Sequence, residues 1–157
     1  MKFLNFMTDK ITFHEATWTD IPGIDECNRA VLTENYDRKI YEQILAPGMS
    51  SSQVALNPEG TVIGYGLCIV RKERARPHGE LMSIAVLPEY RCRGIGRTLI
   101  ERSTAPLLQR NIPVQLHVRK TNKAAQKLYM RLGYGRKKKV PRYYDDGEDA
   151  FVMIREP

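Results

Sequence analysis

Apolar and polar residues recur along the chain with two periods, which predict strands and helices in a definite order. Period-two alternation or a short apolar run bounded by turn residues predicts seven strands, at residues 11–16, 52–57, 61–71, 78–86, 114–119, 134–140 and 149–155. Helical spacing of apolar residues predicts four helices, at residues 21–30, 35–45, 94–109 and 122–132. The predicted order is β-α-α-β-β-β-α-β-α-β-β.

Cap and breaker residues refine these elements. Asp20, or the threonine before it, is expected to cap the first helix, and Gly133 is expected to close the last one. Pro106 should kink or restart the third helix. Strands 78–86 and 114–119 flank a single helix, so they should lie parallel, whereas directly successive strands should form antiparallel hairpins. These elements predict a mixed α/β protein, with a seven-stranded sheet and helices on both faces.

The length of 157 residues argues for one domain, since domains typically contain about 100–200 residues. We expect residues 1–10 to be a flexible leader and residues 11–157 to form that domain. The mostly apolar stretch at residues 62–70 is about half as long as a membrane-spanning helix, so no membrane association is expected. Lys and Arg number 25 and Asp and Glu 18, and the net charge of +7 suggests an anionic partner without identifying it.

The cysteines and histidines favour a reducing, metal-free protein. Three cysteines without a CxxC pair predict free thiols, as in the cytoplasm. The three histidines have no spacing that suits a metal ion, so no metal is expected.

A glycine-rich segment, RCRGIG at residues 91–96, follows the fourth predicted strand and opens the third predicted helix. Glycines at a helix N-terminus let backbone N–H groups face an anion, and Arg91, Arg93 and Arg97 add positive charge. This pattern predicts a pyrophosphate-binding loop. A Walker loop is excluded because GxxxxGK is missing, and a dinucleotide fingerprint is disfavoured because Leu99 replaces its third glycine.

The same six residues match the Q/R-x-x-G-x-G/A loop of the GNAT acetyltransferases, and the predicted element order also resembles that fold. Three further segments resemble the protein N-terminal acetyltransferases within it: LTENY at 32–36, LHVRKTN at 116–122 and YYDDGEDAF at 143–151. That group comprises catalytic subunits of the eukaryotic A-type complex, their archaeal counterparts and, more distantly, bacterial ribosomal-protein enzymes. The sequence shows no long acidic C-terminal extension like that of several eukaryotic members, so we expect an archaeal-type or otherwise compact enzyme.

The resemblance, which covers residues 11–155, implies acetyl-CoA as donor, coenzyme A as product and the α-amino group of a protein as acceptor. It implies that backbone groups of the fourth strand bind the pantetheine arm and that the glycine-rich loop binds the pyrophosphate. The implied cofactor-binding residues are Ile84, Ala85, Val86, Arg91, Cys92, Arg93, Gly94, Ile95, Gly96, Arg97, Asn122 and Tyr129. The implied peptide-binding residues are Leu32, Glu34, Tyr36, Tyr143 and Tyr144.

The catalytic base is left open by the sequence. Alternation along the fifth predicted strand places His117 away from its apolar face, and the resemblance puts it where relatives carry a His or Glu base. Glu80 stands where many relatives have His or Tyr, so Glu80, His117 and Glu34 all remain candidates. Helical spacing alone makes Tyr129 a core residue, but the resemblance implies that its hydroxyl protonates or holds the coenzyme A sulfur.

Two other functions remain possible from the sequence. A lysine or small-amine acetyltransferase would share the fold and the glycine-rich loop. A nucleic-acid-binding or ribosome-binding module would use the cationic run Arg136, Lys137, Lys138 and Lys139, with a second basic run at residues 71–76. A monomeric enzyme of the cytoplasm, with nascent chains as substrates, is the favoured interpretation.

Overall fold

The computed structural model describes residues 10–48, 50–72 and 76–157, so nearly all of the expected leader lies outside the described residues. The strands are β1 Thr12–Glu15, β2 Gln53–Leu56, β3 Val62–Arg71, β4 His78–Val86, β5 Val114–Arg119, β6 Gly135–Val140 and β7 Ala150–Arg155. The α-helices are α1 Ile21–Val31, α2 Arg38–Ile44, α3 Ile95–Gln109 and α4 Lys123–Arg131. Among the described residues, no helix is long and apolar enough to cross a membrane.

The seven strands form one mixed sheet in the order β1-β2-β3-β4-β5-β7-β6. Among the strands of the described residues, only the β4–β5 pair is parallel, because α3 crosses over between these strands, and the other neighbouring pairs are antiparallel. The predicted fold class and element order are therefore confirmed. Strand β7 inserts between β5 and β6, which leaves β6 as an edge strand.

Helices cover both faces of the sheet, and each face has its own buried core. On one face, Ile24 of α1 and Tyr41 of α2 pack with Tyr65 and Leu67 of β3. On the other, a cluster joins residues of α3 and α4 to alternate residues of β5: Ile100, Leu107, Val114, Leu116, Val118 and Tyr129. The predicted apolar face of β5 is the one buried here, so its other face is free to line a site.

Strands β4 and β5 pair over only a short distance. Their ladder runs from Gly79 opposite Val114 to Leu81 opposite Leu116 and then stops. Beyond Leu81, β4 continues to Val86 with no partner strand on this side within residues 10–48, 50–72 and 76–157, although it remains paired with β3. The two strands therefore diverge in the middle of the sheet and open a gap between their C-terminal halves.

Three local predictions need correction. The Asp20 carboxylate accepts from the Thr17 N–H at 2.8 Å, so it closes the preceding 3₁₀ turn (Trp18–Asp20) and does not cap α1. Helix α2 begins at Arg38, because Asp37 caps it by accepting from the backbone of the first turn. Helix α3 does not restart at Pro106 but runs through it, since a proline removes only one backbone donor and the buried face of the helix continues to Leu107.

Candidate active site

A cleft of about 430 Å³ lies where β4 and β5 diverge, between the α1–α2 loop, the β6–β7 loop and α4. It brings together ten of the residues singled out from the sequence: Leu32, Glu34, Tyr36, Glu80, Ile84, His117, Asn122, Tyr129, Tyr143 and Tyr144. Eight residues not singled out also line it: Arg71, Leu81, Met82, Ser83, Val118, Arg119, Ala125 and Asp145. Segments far apart in the sequence thus meet around one space.

His117 is held in the cleft as a neutral ring. It stacks face to face on Tyr143, with 4.3 Å between ring centroids and an interplanar angle of 4°. Burial lowers the pKa of His117 below its usual value, and the nearby Lys138 charge lowers it further, although Glu80 opposes both effects. A neutral imidazole has a free lone pair at pH 7, so His117 can accept a proton.

Glu80 is less available as a base, because its carboxylate forms an ion pair with Arg71. The Glu80 side chain is only 14% exposed. Arg71 is paired directly opposite His78 at the start of β4, so the ion pair spans the edge of the cleft across two neighbouring strands. The Arg71 guanidinium occupies an oxygen of this carboxylate, so a substrate amine would have to displace Arg71 to bond to that oxygen.

Arg119 links the two loops that border the cleft. Its guanidinium pairs with Glu34 of the α1–α2 loop and, at 2.8 and 3.0 Å, with Asp146 and Glu148 of the β6–β7 loop. The guanidinium carbon of Arg119 also lies over the Tyr144 ring, 4.0 Å from its centroid. Arg119 was not predicted as a site residue, but the signal was present, because alternation puts it on the same face of β5 as His117.

The β6–β7 loop is fixed at a second point by Glu148. Its carboxylate accepts from the Thr121 hydroxyl at 2.6 Å and from the Thr121 N–H at 2.9 Å. These bonds, followed by the bond from Arg119, lower the pKa of Glu148 to about 2. The loop is therefore bonded both to Arg119 of β5 and to Thr121. These bonds fix the orientation of Tyr143 and Tyr144 over the cleft, where their ring centroids lie 5.0 Å apart.

Tyr129 brings its hydroxyl to the inner end of the cleft. The residue is 6% exposed, and its ring meets Tyr134 edge-on with a centroid distance of 5.9 Å. Burial raises the pKa of Tyr129 above its ordinary value, so the phenol stays protonated. Among the described residues, none forms a hydrogen bond with this hydroxyl, so its proton is available to a ligand.

The unpaired half of β4 offers backbone groups to an extended ligand. The Leu87 N–H donates to the Ile63 carbonyl at 2.9 Å, which fixes the alternation between β3 and β4. Backbone groups of Ile84 and Val86 therefore face the gap, whereas those of Ala85 bond to β3. Of the three residues predicted to hold the pantetheine arm, Ala85 is thus directed away, and neither it nor Val86 lines the cleft itself.

The glycine-rich loop lies beyond the cleft, between the C-terminal end of β4 and the start of α3. Gly94 precedes α3 with φ +77°, a conformation that favours glycine, and no side chain in the described part of the chain caps the helix. The first N–H groups of α3, those of Ile95, Gly96 and Arg97, therefore remain open to an anion. The Arg91 Nε donates to the Val86 carbonyl at 3.1 Å, which connects the loop to the end of β4 beside the gap.

The other loop residues add to this cationic surface. Arg93 lies over the Tyr90 ring, and Arg97 pairs with Glu101 one turn along α3 at 3.1 Å. Cys92 is exposed with φ +61°. Asn122, predicted as a cofactor contact, caps α4 by accepting from the Ala125 N–H at 3.2 Å, and it also lines the cleft. An uncapped helix start, flanking arginines and an unpaired strand edge fit a pyrophosphate with an extended arm.

Known proteins resemble this chain in sequence and in fold. Residues 13–134 match the model of the Acetyltransferase (GNAT) family. The N-terminal acetyltransferase A complex catalytic subunit ard1 of Schizosaccharomyces pombe is 34% identical, covering 88% of this chain and 81% of that protein. An N-alpha-acetyltransferase of Saccharolobus solfataricus is 33% identical, covering 92% of both chains. Naa20 of Chaetomium thermophilum, solved with a bisubstrate analogue, superposes with a TM-score of 0.84 at 29% identity, covering 92% of this chain and 86% of that one.

Proposed function

The chain belongs to the GNAT family of acetyltransferases, and on that premise we propose that it transfers the acetyl group of acetyl-CoA to the free α-amino group of protein N-termini. The observation that carries the proposal is the cleft, in which His117 and Tyr129 lie between two loops held together by Arg119. Acetyl-CoA, when bound, supplies a thioester whose carbonyl carbon is open to attack by an amine.

Two parts of the chain would hold acetyl-CoA. The first turn of α3 with Arg91, Arg93 and Arg97 would face the pyrophosphate, because backbone N–H groups and guanidinium groups both bind phosphate oxygens. The outward backbone groups of Ile84 and Val86 would pair with the pantetheine arm as a neighbouring strand would. The arm would then lead from the α3 end of the gap into the cleft.

We propose His117 as the catalytic base among the three candidates. Its pKa is lowered by burial, whereas Glu80 is bonded to Arg71 and Glu34 to Arg119. Glu34 would instead orient the amino group of the acceptor, with Leu32, Tyr36, Tyr143 and Tyr144 surrounding its first residues. His117 would take the proton of the attacking amine, directly or through a water molecule.

The protonation state of the acceptor favours an α-amine over a lysine. An α-amino group has a pKa near 7.7–8.0 and is roughly one-tenth neutral at pH 7, whereas a lysine side chain near 10.4 is neutral in about one molecule per few thousand. A neutral histidine is a base of moderate strength, so it suits an acceptor that is partly neutral already. Tyr129, whose hydroxyl stays protonated, would donate to the sulfur of the departing thiolate.

The proposal is tested with pairs of peptides of identical sequence. One member of each pair has a free α-amine and no lysine, and the other is α-blocked and carries one lysine; mass spectrometry locates the acetyl group. We expect turnover of the first and little or none of the second. Equal or greater turnover of the blocked peptides would replace the proposal by a lysine acetyltransferase, the second candidate, which shares the cofactor groove.

The assignment of the base is tested by matched variants. We expect His117→Ala to lower kcat by about 10²–10⁴-fold, which is the usual contribution of a general base. Glu34→Gln should mainly raise the KM for the peptide, and Glu80→Gln should affect both parameters less than His117→Ala affects kcat. If His117→Ala keeps the wild-type kcat, His117 is not the catalytic base.

We further propose that β6 docks the enzyme on the ribosome in the cytoplasm, where it acts as a monomer on nascent chains. Lys137 and Lys138 are exposed on this edge strand, and within the described residues neither forms an ion pair. Arg136 is engaged by Gln126 and the Phe151 ring, and Lys139 lies 3.8 Å from Asp149. Co-sedimentation with ribosomes at low salt should fall when Lys137 and Lys138 are both replaced by Ala, and unchanged co-sedimentation would contradict the docking.

A further inference from the structure

A chain of hydrogen bonds runs from the buried core to the wall of the cleft. Asn28 of α1 and Tyr65 of β3 are both fully buried, at 0% exposure. The Asn28 Nδ2 donates to the Tyr65 hydroxyl at 2.7 Å, and that hydroxyl lies 2.8 Å from the Ser83 hydroxyl of β4. Ser83 lines the cleft. None of these three side chains has a role in the proposed transfer of the acetyl group so far.

The chemistry of the three groups fixes the direction of the protons. An amide NH₂ can only donate, so the Tyr65 proton has Ser83 as its one acceptor among the described residues. Burial raises the pKa of Tyr65 to about 12, so the phenol is neutral and carries that proton. The opposite amide orientation would bury an NH₂ group without an acceptor, which is rarer than the unpartnered Asn28 carbonyl oxygen found here. Ser83 therefore accepts from Tyr65 and has its own proton free to donate.

The position of Ser83 along β4 indicates what its proton would meet. The glycine-rich loop follows the C-terminal end of β4, so an arm that starts there would pass Val86 and then Ile84, and its far end would reach Ser83 in the cleft. That end carries the acetyl group. We infer that the Ser83 hydroxyl donates a hydrogen bond to the carbonyl oxygen of the bound acetyl group, and that Tyr65 and Asn28 are positioning residues that keep it a donor. The inference rests on the proposed function only in taking acetyl-CoA as the donor.

A donor held in this orientation polarises the carbonyl and stabilises the negative charge that develops on its oxygen during attack. Loss of one such donor can reduce kcat by about 10²–10³-fold, and for a single neutral hydroxyl we expect Ser83→Ala to lower kcat at least roughly tenfold. Tyr65→Phe keeps the Ser83 hydroxyl but removes the group that orients it, so its loss should be smaller. Ser83→Thr, which retains a hydroxyl, should keep most of the activity.

The deciding measurement is made without an acceptor peptide. Acetyl-CoA labelled with ¹³C at the acetyl carbonyl is bound to the protein, and its ¹³C resonance is compared with that of free acetyl-CoA. Donation to the oxygen should shift this resonance downfield in the wild type and in Ser83→Thr, less in Tyr65→Phe and least in Ser83→Ala. Binding of coenzyme A, which lacks the carbonyl, should be equal in all four proteins and shows that the groove remains folded.

A double-mutant cycle separates positioning from packing. If Tyr65 acts through Ser83, Tyr65→Phe should lower kcat in the wild type but have no further effect in Ser83→Ala. Equal losses in both backgrounds, or the same ¹³C shift in wild type and Ser83→Ala, would overturn the inference. Because the shift needs no acceptor, the inference can fail while N-terminal acetylation stands, and it can hold even if the acceptor proves to be a lysine.

Discussion

Replacing Tyr129 by Phe should separate catalysis from stability. The change deletes one hydroxyl from a residue that is 6% exposed and keeps the aromatic ring in its edge-on contact with Tyr134. Because the hydroxyl has no hydrogen-bond partner among the described residues, its removal leaves no other buried group unpaired. If the Tyr129 hydroxyl donates its proton to the departing sulfur, its removal should lower kcat without lowering the stability of the fold.

The effect on kcat should be large and the effect on stability small. Loss of a general acid reduces kcat by about 10²–10⁴-fold, which corresponds to about 3–6 kcal/mol at about 1.4 kcal/mol per factor of ten. The hydroxyl opens on the cleft and forms no hydrogen bond with a described residue, so its removal should change the free energy of unfolding by less than about 1 kcal/mol. For a chain of this length, each kcal/mol moves Tm by about 2–4 °C.

The matched control is Tyr134→Phe. Tyr134 is 2% exposed, its hydroxyl is buried, and it does not line the cleft. Steady-state release of coenzyme A gives kcat, and thermal unfolding followed by circular dichroism gives Tm, each without added ligand in the unfolding experiment. A kcat that falls equally in both variants, or a Tm of Tyr129→Phe lower by more than about 4 °C, would refute the assignment of Tyr129.

Three further outcomes are expected. At saturating peptide, kcat should decline as the pH falls through a His117 pKa below the usual 6.5, because a protonated ring cannot accept a proton; a profile of His117→Ala that keeps this decline would contradict it. Arg91→Ala should weaken acetyl-CoA binding by about tenfold or more at low salt, since a charged hydrogen bond contributes about 1.5–3 kcal/mol; calorimetry that finds equal affinities would exclude a phosphate contact. Glu148 has a pKa near 2, lower than in the unfolded chain, so the stability it adds is present above about pH 4.5 and is lost as the pH falls toward 2. The decline in Tm over that interval should therefore be shallower in Glu148→Gln, and identical slopes would count against this linkage.

The elements of the fold were predictable because their signals are local. A strand repeats every two residues and a helix every 3.6, so the seven strands and four helices could be recognised segment by segment. The wrong predictions concern the ends of helices and a helix interruption. The Asp20 carboxylate bonds to the Thr17 N–H and not to the helix after it, and α3 continues through Pro106. At those positions competing contacts of similar energy decide the outcome, and the sequence does not rank them.

The sequence by itself determined the strand and helix order, the cationic loop before α3 and the face of β5 that carries His117. Only the tertiary structure decided which charged and polar groups meet. Arg119 reaches Glu34 across 85 positions of sequence, and Asn28 reaches Tyr65 across 37. It also showed that Ala85 bonds to β3 while Ile84 and Val86 face the gap. The physical reason is that periodicity assigns a residue to a face of its own element, whereas strand register and loop closure determine its neighbour on another.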